Sequence, residues 1–162
     1  MKTIEQCLIL DEGKKNNLYF DHLGYPTIGI GHLIAREKLS KAQAIQRLDQ
    51  LMKRSTGGVI SDIEVSELFK QDLSVVMNSI KKQAFFPIYL KLDQSRQTAI
   101  QNMVFNLGAK GVQGFPSMWR ALDKGNYEEA ARHALDSLWA RQVPNRAKRV
   151  TNTIRTGGFE GY

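Results

Sequence analysis

The sequence predicts an α+β fold that is mostly helical: a small lobe with a short antiparallel β-sheet, a long connecting helix, a larger all-helical lobe, and a cleft between the lobes. Three observations support this prediction. Residues 17–35 contain two strand-like runs separated by a glycine-containing turn. Helix-capping motifs and helical periodicity recur through the rest of the chain. One helical segment, residues 61–80, is long enough at about 1.5 Å per residue to connect two lobes.

The first predicted element is a short helix over residues 3–12. Ile4, Leu8 and Glu12 are spaced four residues apart, so Glu12 is expected on the apolar stripe at the C-terminal end of this helix. Gly13 supplies the stop signal. The hairpin follows, and it is the only convincing β segment. In its second run Pro26, Ile28 and Ile30 alternate with Tyr25, Thr27 and Gly29.

The remaining segments are predicted to be helical. Ser40 with Gln43 forms a capping-box pattern that opens a helix to about residue 54, and Ser61 with Glu64 forms a second one before the connecting helix. Asp93 is a good N-cap for the central helix of the larger core. Its apolar stripe consists of Ala99, Ile100, Met103, Val104 and Leu107. Three further helices are expected to begin near Pro116, Asn126 and Pro144, and Gly157-Gly158 closes the last one.

These elements predict one domain over residues 1–162. Its lobes are expected at approximately 13–60, which contains the sheet, and at 81–162 plus 1–12, which is helical. Helix 61–80 joins them. With 162 residues, of which 42% are hydrophobic, the chain is long and apolar enough for a globular core.

Composition also restricts the environment of the protein. Cys7 is the one cysteine, so no intrachain disulfide is possible. No segment approaches the roughly 20 apolar residues of a membrane span, and the N-terminus is a poor signal peptide. We therefore expect a protein that does not span the membrane and is synthesised in the cytosol. The formal net charge of +7 favours anionic partners: nucleic acid, an anionic membrane or a bacterial envelope. Simple solubility is the alternative explanation of this charge.

No metal and no cofactor are expected. His22, His32 and His133 have no ligand spacing with one another or with Cys7. The pair Gly29-x-Gly31 lacks the following helix and the third glycine of a dinucleotide site. The basic cluster of the C-terminal segment has no interleaved aromatic residues, so nucleic-acid binding is not expected.

Glu12, Asp21 and Thr27 are the candidates for chemistry. The helix macrodipole disfavours an anion at the C-terminal end, and partial desolvation acts in the same direction, so both effects favour a Glu12 carboxyl that keeps its proton as a general acid must. A hairpin brings Asp21 near Thr27. A glycosidase needs one carboxylic acid and one carboxylate across the scissile bond, and a hydroxyl beside that carboxylate can hold the attacking water. Taken singly, these residues also fit a solvated helix-end Glu, a turn Asp and an ordinary strand Thr.

The sequence resembles the T-even phage lysozymes, or endolysins, of the phage muramidase family of glycoside hydrolases. The similarity spans nearly the whole chain, and the spacing Glu, eight residues, Asp, five residues, Thr is kept. It is carried by Asp11-Glu12-Gly13, Tyr19, Asp21, Gly24, Tyr25, Thr27 and Gly29-Ile30-Gly31-His32-Leu33, and further by Asn102-Met103-Val104-Phe105, Gly114-Phe115 and Pro144-Asn145-Arg146-Ala147-Lys148-Arg149-Val150.

The resemblance implies a lysozyme-like fold and cleavage of the β-1,4 bond between N-acetylmuramic acid and N-acetylglucosamine in bacterial peptidoglycan, with inversion of the anomeric centre, for host cell lysis. Glu12 matches the general acid, Asp21 the carboxylate that activates or positions water, and Thr27 the water-positioning hydroxyl. Arg146 matches a basic residue that approaches the catalytic glutamate from the helical lobe, where it would oppose proton retention. His32 matches a structural histidine held by Asp72.

The resemblance further implies that Leu33, Phe105 and Asn106 line the cleft, while Phe105 also fits a core aromatic on the central helix. His133 and Met118, which replace small polar residues near the cleft, are also expected to bind substrate, so sugar and peptide preferences are expected to differ. Leu23 and Leu138 replace a glutamate and an arginine that face one another across the cleft mouth, so a possible ion pair becomes a possible apolar contact.

The family further implies a monomer that acts on the cell wall in the periplasm after the membrane has been permeabilised. Two other functions remain open on the residues alone. A lytic transglycosylase needs only the acid, and a non-catalytic wall-binding module needs none of the three residues. The complete Glu12, Asp21 and Thr27 set argues against both.

Overall fold

The computed structural model describes all 162 residues and divides into two compact units. One unit comprises Leu8–Leu73, and the other comprises Met1–Cys7 together with Ser74–Tyr162. The chain passes from one unit to the other within two helices. Helix α1 (Ile4–Glu12) begins in the unit that contains Met1–Cys7 and ends in the unit of Leu8–Leu73. Helix α3 (Asp62–Lys81) begins in the unit of Leu8–Leu73 and ends in the other unit. No helix combines the length and the apolar character that a membrane span requires.

The unit of Leu8–Leu73 contains the β-sheet. Its three strands are antiparallel in the order β1-β2-β3, and α2 follows them in the chain. The sequence analysis expected one hairpin, whereas the structure adds a short third strand and begins the first strand two residues earlier. The bounds are β1 Lys15–Phe20, β2 Pro26–Gly29, β3 His32–Leu33 and α2 Lys41–Met52.

The second strand is buried on both faces. Ile28 has no exposed surface, and Thr27 on the opposite face is only 3% exposed. Because β2 is the central strand, β1 and β3 cover both of its edges. The position of Thr27 is therefore fixed by backbone pairing on both sides.

Both capping boxes are present. The Ser40 hydroxyl accepts the Gln43 N–H at 3.2 Å while the Gln43 side chain accepts the Ser40 N–H at 3.0 Å. At the start of α3, Ser61 and Glu64 exchange the same two bonds. Each box satisfies two backbone donors that a helix N-terminus leaves unpaired. These local interactions explain why the sequence located both helix starts correctly.

The other unit is built from helices around one apolar core. The central helix α5 is capped by Asp93 and carries the predicted apolar stripe, with Ile100 and Met103 fully buried. Its regular geometry is interrupted at Gly108. Two short helices, α4 and α8, were not predicted. Pro87 lies in the first turn of α4, where its missing N–H costs nothing. The bounds are α4 Phe86–Lys91, α5 Gln94–Gln113, α6 Pro116–Asp123, α7 Tyr127–Leu135, α8 Leu138–Gln142 and α9 Pro144–Thr156.

Arg96 links three helices of this unit. Its Nε donates to the Ile154 carbonyl at 2.7 Å near the end of α9, and its guanidinium carbon lies 3.4 Å from the ring centroid of Tyr127 on α7. Its Nη1 also pairs with Asp93 at the start of α5. The guanidinium thus satisfies a carbonyl near the C-terminal end of α9 and makes a cation–π contact with Tyr127, and both interactions stabilise the packing of these helices.

Candidate functional site

Glu12 is the last residue of α1, as the sequence predicted, but its side chain is exposed. The preceding residues Cys7 and Leu8 are almost completely buried. The expectation that Glu12 is partly desolvated on the apolar stripe is therefore wrong for this structure. The reason is its terminal position: α1 stops there, with the Gly13 N–H bonded to the Ile9 carbonyl at 3.0 Å, and the side chain extends past the buried part of the stripe.

Gly31 lies directly against the Glu12 carboxylate. A Cβ atom built on Gly31 would be 3.3 Å from Glu12 Oε2 and 3.5 Å from Glu12 Cδ. The backbone at Gly31 has a φ of +65°, which side-chain-bearing residues rarely adopt. Sequence reasoning assigned no separate role to this glycine. The Gly29-x-Gly31 spacing after a strand was the available signal, and it marks a close approach of backbone to a functional side chain.

Asp21 and Thr27 both bond to the backbone of one residue, Tyr25. The Asp21 Oδ1 atom accepts the N–H groups of Leu23 and Tyr25, each at 2.9 Å. The Tyr25 carbonyl oxygen accepts both the Asp21 N–H at 2.9 Å and the Thr27 hydroxyl at 3.0 Å. The carboxylate and the hydroxyl are thus held by one rigid turn, as a hairpin predicts.

These bonds also determine what each side chain can still do. The Thr27 hydroxyl donates a hydrogen bond to the Tyr25 carbonyl, so its oxygen can act as an acceptor towards a ligand. Only Oδ1 of Asp21 accepts hydrogen bonds from the protein, which leaves Oδ2 for a proton donor such as water. The pair can therefore hold a water molecule through its two O–H groups.

The phenol of Tyr19 is affected by the charges of both Glu12 and Asp21. Tyr19 is paired with Thr27 across β1 and β2, and the Lys15 Nζ atom lies 4.2 Å from the centroid of its ring. Burial raises the pKa of the Tyr19 phenol, and the negative charges of Glu12 and Asp21 raise it further. Both carboxylates are thus within electrostatic range of one phenol, which stays protonated. The sequence analysis used Tyr19 only as part of a motif.

His32 and Leu33 form β3, next to the central strand. The His32 Nδ1 atom lies 2.8 Å from Asp72 Oδ2 and 3.0 Å from Asp72 Oδ1, so α3 holds the imidazole by a carboxylate. Leu33 is half-buried and is the cross-strand partner of Thr27. No group of three or more His, Cys, Asp or Glu side chains is arranged to hold a metal ion.

Arg146 lies in the helical unit and is 7% exposed. Its Nε donates to Asn102 Oδ1 at 2.9 Å, and the Asn102 amide donates to the Tyr162 hydroxyl at 2.9 Å. These bonds hold the guanidinium of α9 against the middle of α5. The structure thus gives Arg146 a fixed position in its own unit, and its action on the catalytic glutamate stays a prediction.

A pocket of about 490 Å³ in the same unit collects several of the residues predicted to bind substrate. Met118, His133 and Leu138 line it, together with Phe115 and Trp139. Beside it, the exposed Asn106 accepts the Trp139 indole N–H at 2.7 Å. Phe105, the preceding residue of α5, is half-buried, which suits either of its predicted roles.

Two of the predicted substrate-binding residues differ in what they offer to a ligand. Met118 is only 1% exposed and packs in the helical core, so it supports the pocket wall and presents almost no surface; this departs from the expectation of a substrate contact. His133 is half-buried, and its Nε2 lies 3.2 Å from Glu129 Oε2 one turn earlier on α7. Its imidazole can still be reached from the pocket that it lines.

Leu23 and Leu138 are both strongly exposed for leucines. Leu23 is 55% exposed in the turn after Asp21, and Leu138 is 62% exposed at the start of α8. Each therefore presents apolar surface on its own unit. Their contact with one another stays a prediction.

Comparisons with known proteins place the chain in a family. The model of the family described as phage lysozyme matches residues 10–152. A probable T4-type lysozyme 1 of Dictyostelium discoideum is 36% identical over 100% of this chain and 99% of its own length. The pre-baseplate central spike protein Gp5 of Enterobacteria phage T4 is 38% identical over 99% of this chain, which spans only 29% of Gp5. The endolysin of Salmonella phage P22 is 31% identical over 75% of this chain and 70% of its own length. With a family match over most of its residues, and with the α+β architecture described above, this chain belongs to the phage lysozyme family and is a glycoside hydrolase.

Proposed function

We propose that this protein is a muramidase that hydrolyses the β-1,4 bond between N-acetylmuramic acid and N-acetylglucosamine in bacterial peptidoglycan, with inversion of the anomeric centre. The observation that supports it most is the backbone of Tyr25, whose N–H donates to the Asp21 carboxylate and whose carbonyl accepts the Thr27 hydroxyl. The negative charges of Glu12 and Asp21 both raise the pKa of the Tyr19 phenol.

In the proposed reaction Glu12 is the general acid. Its proton goes to the glycosidic oxygen as the bond from that oxygen to the anomeric carbon breaks. The exposure of Glu12 suits this role, since its carboxyl can reach a bound glycan. The leaving sugar thus departs as a neutral alcohol, and Glu12 is left as a carboxylate.

Asp21 and Thr27 act on the attacking water. One O–H of the water donates to the Thr27 oxygen, which acts as an acceptor because the Thr27 O–H is already hydrogen-bonded to the Tyr25 carbonyl. The other O–H donates to Asp21 Oδ2. As the water oxygen forms its bond to the anomeric carbon from the opposite face, its proton passes to Asp21. Asp21 later releases this proton to solvent, and solvent returns a proton to Glu12. The negative charge of Asp21 also stabilises the positive charge that develops on the sugar.

We further propose that this activity serves host cell lysis, with the enzyme made in the cytoplasm of the host and reaching the wall after the membrane has been permeabilised. The endolysin among its relatives supports this role. The net charge of +7 favours association with an anionic envelope, so wall binding should weaken as ionic strength rises.

The decisive experiment digests purified peptidoglycan with the wild type, Glu12→Gln and Glu5→Gln. Glu5 is a matched control because it is the same residue type on the same helix, at the opposite end from the site. We expect Glu12→Gln to lower the rate by at least about 10²–10⁴-fold, since the amide keeps the shape but has no acidic proton. Glu5→Gln should remain close to the wild type.

Product analysis separates the possible reactions. Mass spectrometry should show hydrolysed reducing ends, and proton NMR of fresh product should show the α-anomer first. Anhydro-sugar ends would identify a lytic transglycosylase instead. An initial β-anomer would contradict inversion, and binding of peptidoglycan with no released sugar would contradict catalysis altogether.

A further inference from the structure

We infer that Tyr19 is a substrate-binding residue whose phenol hydroxyl donates a hydrogen bond to the glycan held between Glu12 and the Asp21–Thr27 pair. This inference rests on the proposed function and deepens it. The motif comparison left Tyr19 without a role, and its surroundings in the structure supply one.

The first argument is position. Tyr19 and Thr27 are direct partners in the antiparallel pair of β1 and β2. Side chains of such partners lie on the same face of a sheet with Cβ atoms about 4.5–5.5 Å apart. Asp21 follows two residues later, and alternation along an extended chain returns it to the same face. The phenol therefore stands beside both groups proposed to hold the attacking water.

The second argument is the state of the hydroxyl. The Tyr19 ring is half-buried and makes a cation–π contact with Lys15, yet its hydroxyl has no hydrogen-bond partner in the protein. The charges of Glu12 and Asp21, together with burial, raise the pKa of the phenol, so the hydroxyl is a donor at any pH at which the enzyme would work. A half-buried donor without a protein partner, near two acidic groups, is suited to a ligand oxygen.

The third argument is rigidity. Lys15 lies 4.2 Å from the ring centroid, and its Cα is itself paired with Gly29 of the central strand. The register between β1 and β2 shifts between Lys15 and Tyr19, so the strand is irregular in this segment. The ammonium thus restrains the ring on one face, and a restrained donor loses less conformational entropy when it binds a sugar.

The test compares Tyr19→Phe with Tyr127→Phe. Both substitutions remove one phenol oxygen, and Tyr127 lies in the other unit, where the variant keeps the ring that contacts Arg96. Loss of one neutral hydrogen bond to the substrate should lower kcat/KM of Tyr19→Phe by about 3- to 10-fold. Tyr127→Phe should stay within about twofold, and both variants should keep the thermal midpoint of the wild type.

A second measurement does not depend on turnover. In the Glu12→Gln background with tyrosines labelled at Cζ by ¹³C, the Tyr19 signal is assigned by its loss in the Tyr19→Phe variant. Soluble uncross-linked peptidoglycan should shift this signal, because the shielding of Cζ responds to hydrogen bonding of the hydroxyl. A signal that does not move, with an active wild type and an equally active Tyr19→Phe, would overturn the inference and leave the proposed function standing. An inactive wild type would instead remove the proposed function.

Discussion

Replacing Gly31 with alanine adds a single methyl group against the carboxylate of Glu12. The new Cβ would lie 3.3 Å from Glu12 Oε2 and 3.5 Å from both Cβ and Cδ of the same side chain. The distance from the new Cβ to Glu12 Oε2 is shorter than ordinary van der Waals contact, whereas the distances to the two carbons are ordinary. The carboxylate therefore has to move by a few tenths of an ångström. The substitution therefore perturbs the position of Glu12, the proposed general acid, and leaves its carboxyl group unchanged.

Two costs follow from the structure, and they affect different measurements. The left-handed backbone at Gly31, with a φ of +65°, costs an alanine roughly 1–2 kcal/mol of folding stability. The displacement of Glu12 acts on the rate. Because a misplacement of about 1 Å can cost about 10²-fold, a shift of a few tenths of an ångström should lower kcat by about 3- to 10-fold.

Gly57→Ala is the matched control. Gly57 lies in the same unit with a φ of +64°, and a Cβ there meets no atom within 4 Å. Urea unfolding should show similar losses of stability in the two variants, while turnover of purified peptidoglycan should fall in Gly31→Ala alone. If both variants turn over substrate at the wild-type rate, or if both slow equally, the contact with Glu12 does not position the acid and the reasoning is refuted.

Three further predictions concern stability. Hydrogen bonds from Arg54, then from the Ser61 backbone, lower the pKa of Glu64 from its usual 4.5 to about 2. The ionised carboxylate therefore stabilises the fold fully above about pH 4.5, and this contribution is lost as the pH falls to about 2. Urea unfolding of Glu64→Gln should show a smaller loss of stability than the wild type across that pH range, and a profile identical to the wild type would contradict the assignment. Met118→Ala should lower the free energy of unfolding by about 2–5 kcal/mol, because the side chain is buried in the helical core, and a neutral effect in urea unfolding would show that it is not packed there. Asp72→Ala should cost only about 1 kcal/mol in the same assay, since water reaches both members of its pair with His32, whereas a loss several times larger would mean that this pair is a buried network.

The helix starts were predictable because their causes are local. The hydroxyls of Ser40 and Ser61 each accept the backbone N–H three residues further on, and the side chain of that later residue accepts the serine N–H. Asp93 caps α5 by accepting the Arg96 N–H. Such bonds join residues within one turn, so they are written in short stretches of sequence. The short helices α4 and α8 carry weaker local signals, and packing in the helical unit is needed to order segments of five or six residues.

The sequence by itself determined that Glu12, Asp21 and Thr27 have the residue types and the spacing from which a hydrolytic site is predicted, because type and spacing are sequence properties. Only the tertiary structure decided their surroundings: that Glu12 is exposed, that Thr27 is buried, and that Gly31 and Tyr19 stand beside them. Burial, the field of neighbouring charges and close backbone approach depend on which residues distant in the chain pack together. Periodicity along one segment contains no information about those neighbours, which is why it predicted a partly desolvated Glu12 where the folded protein has an exposed one.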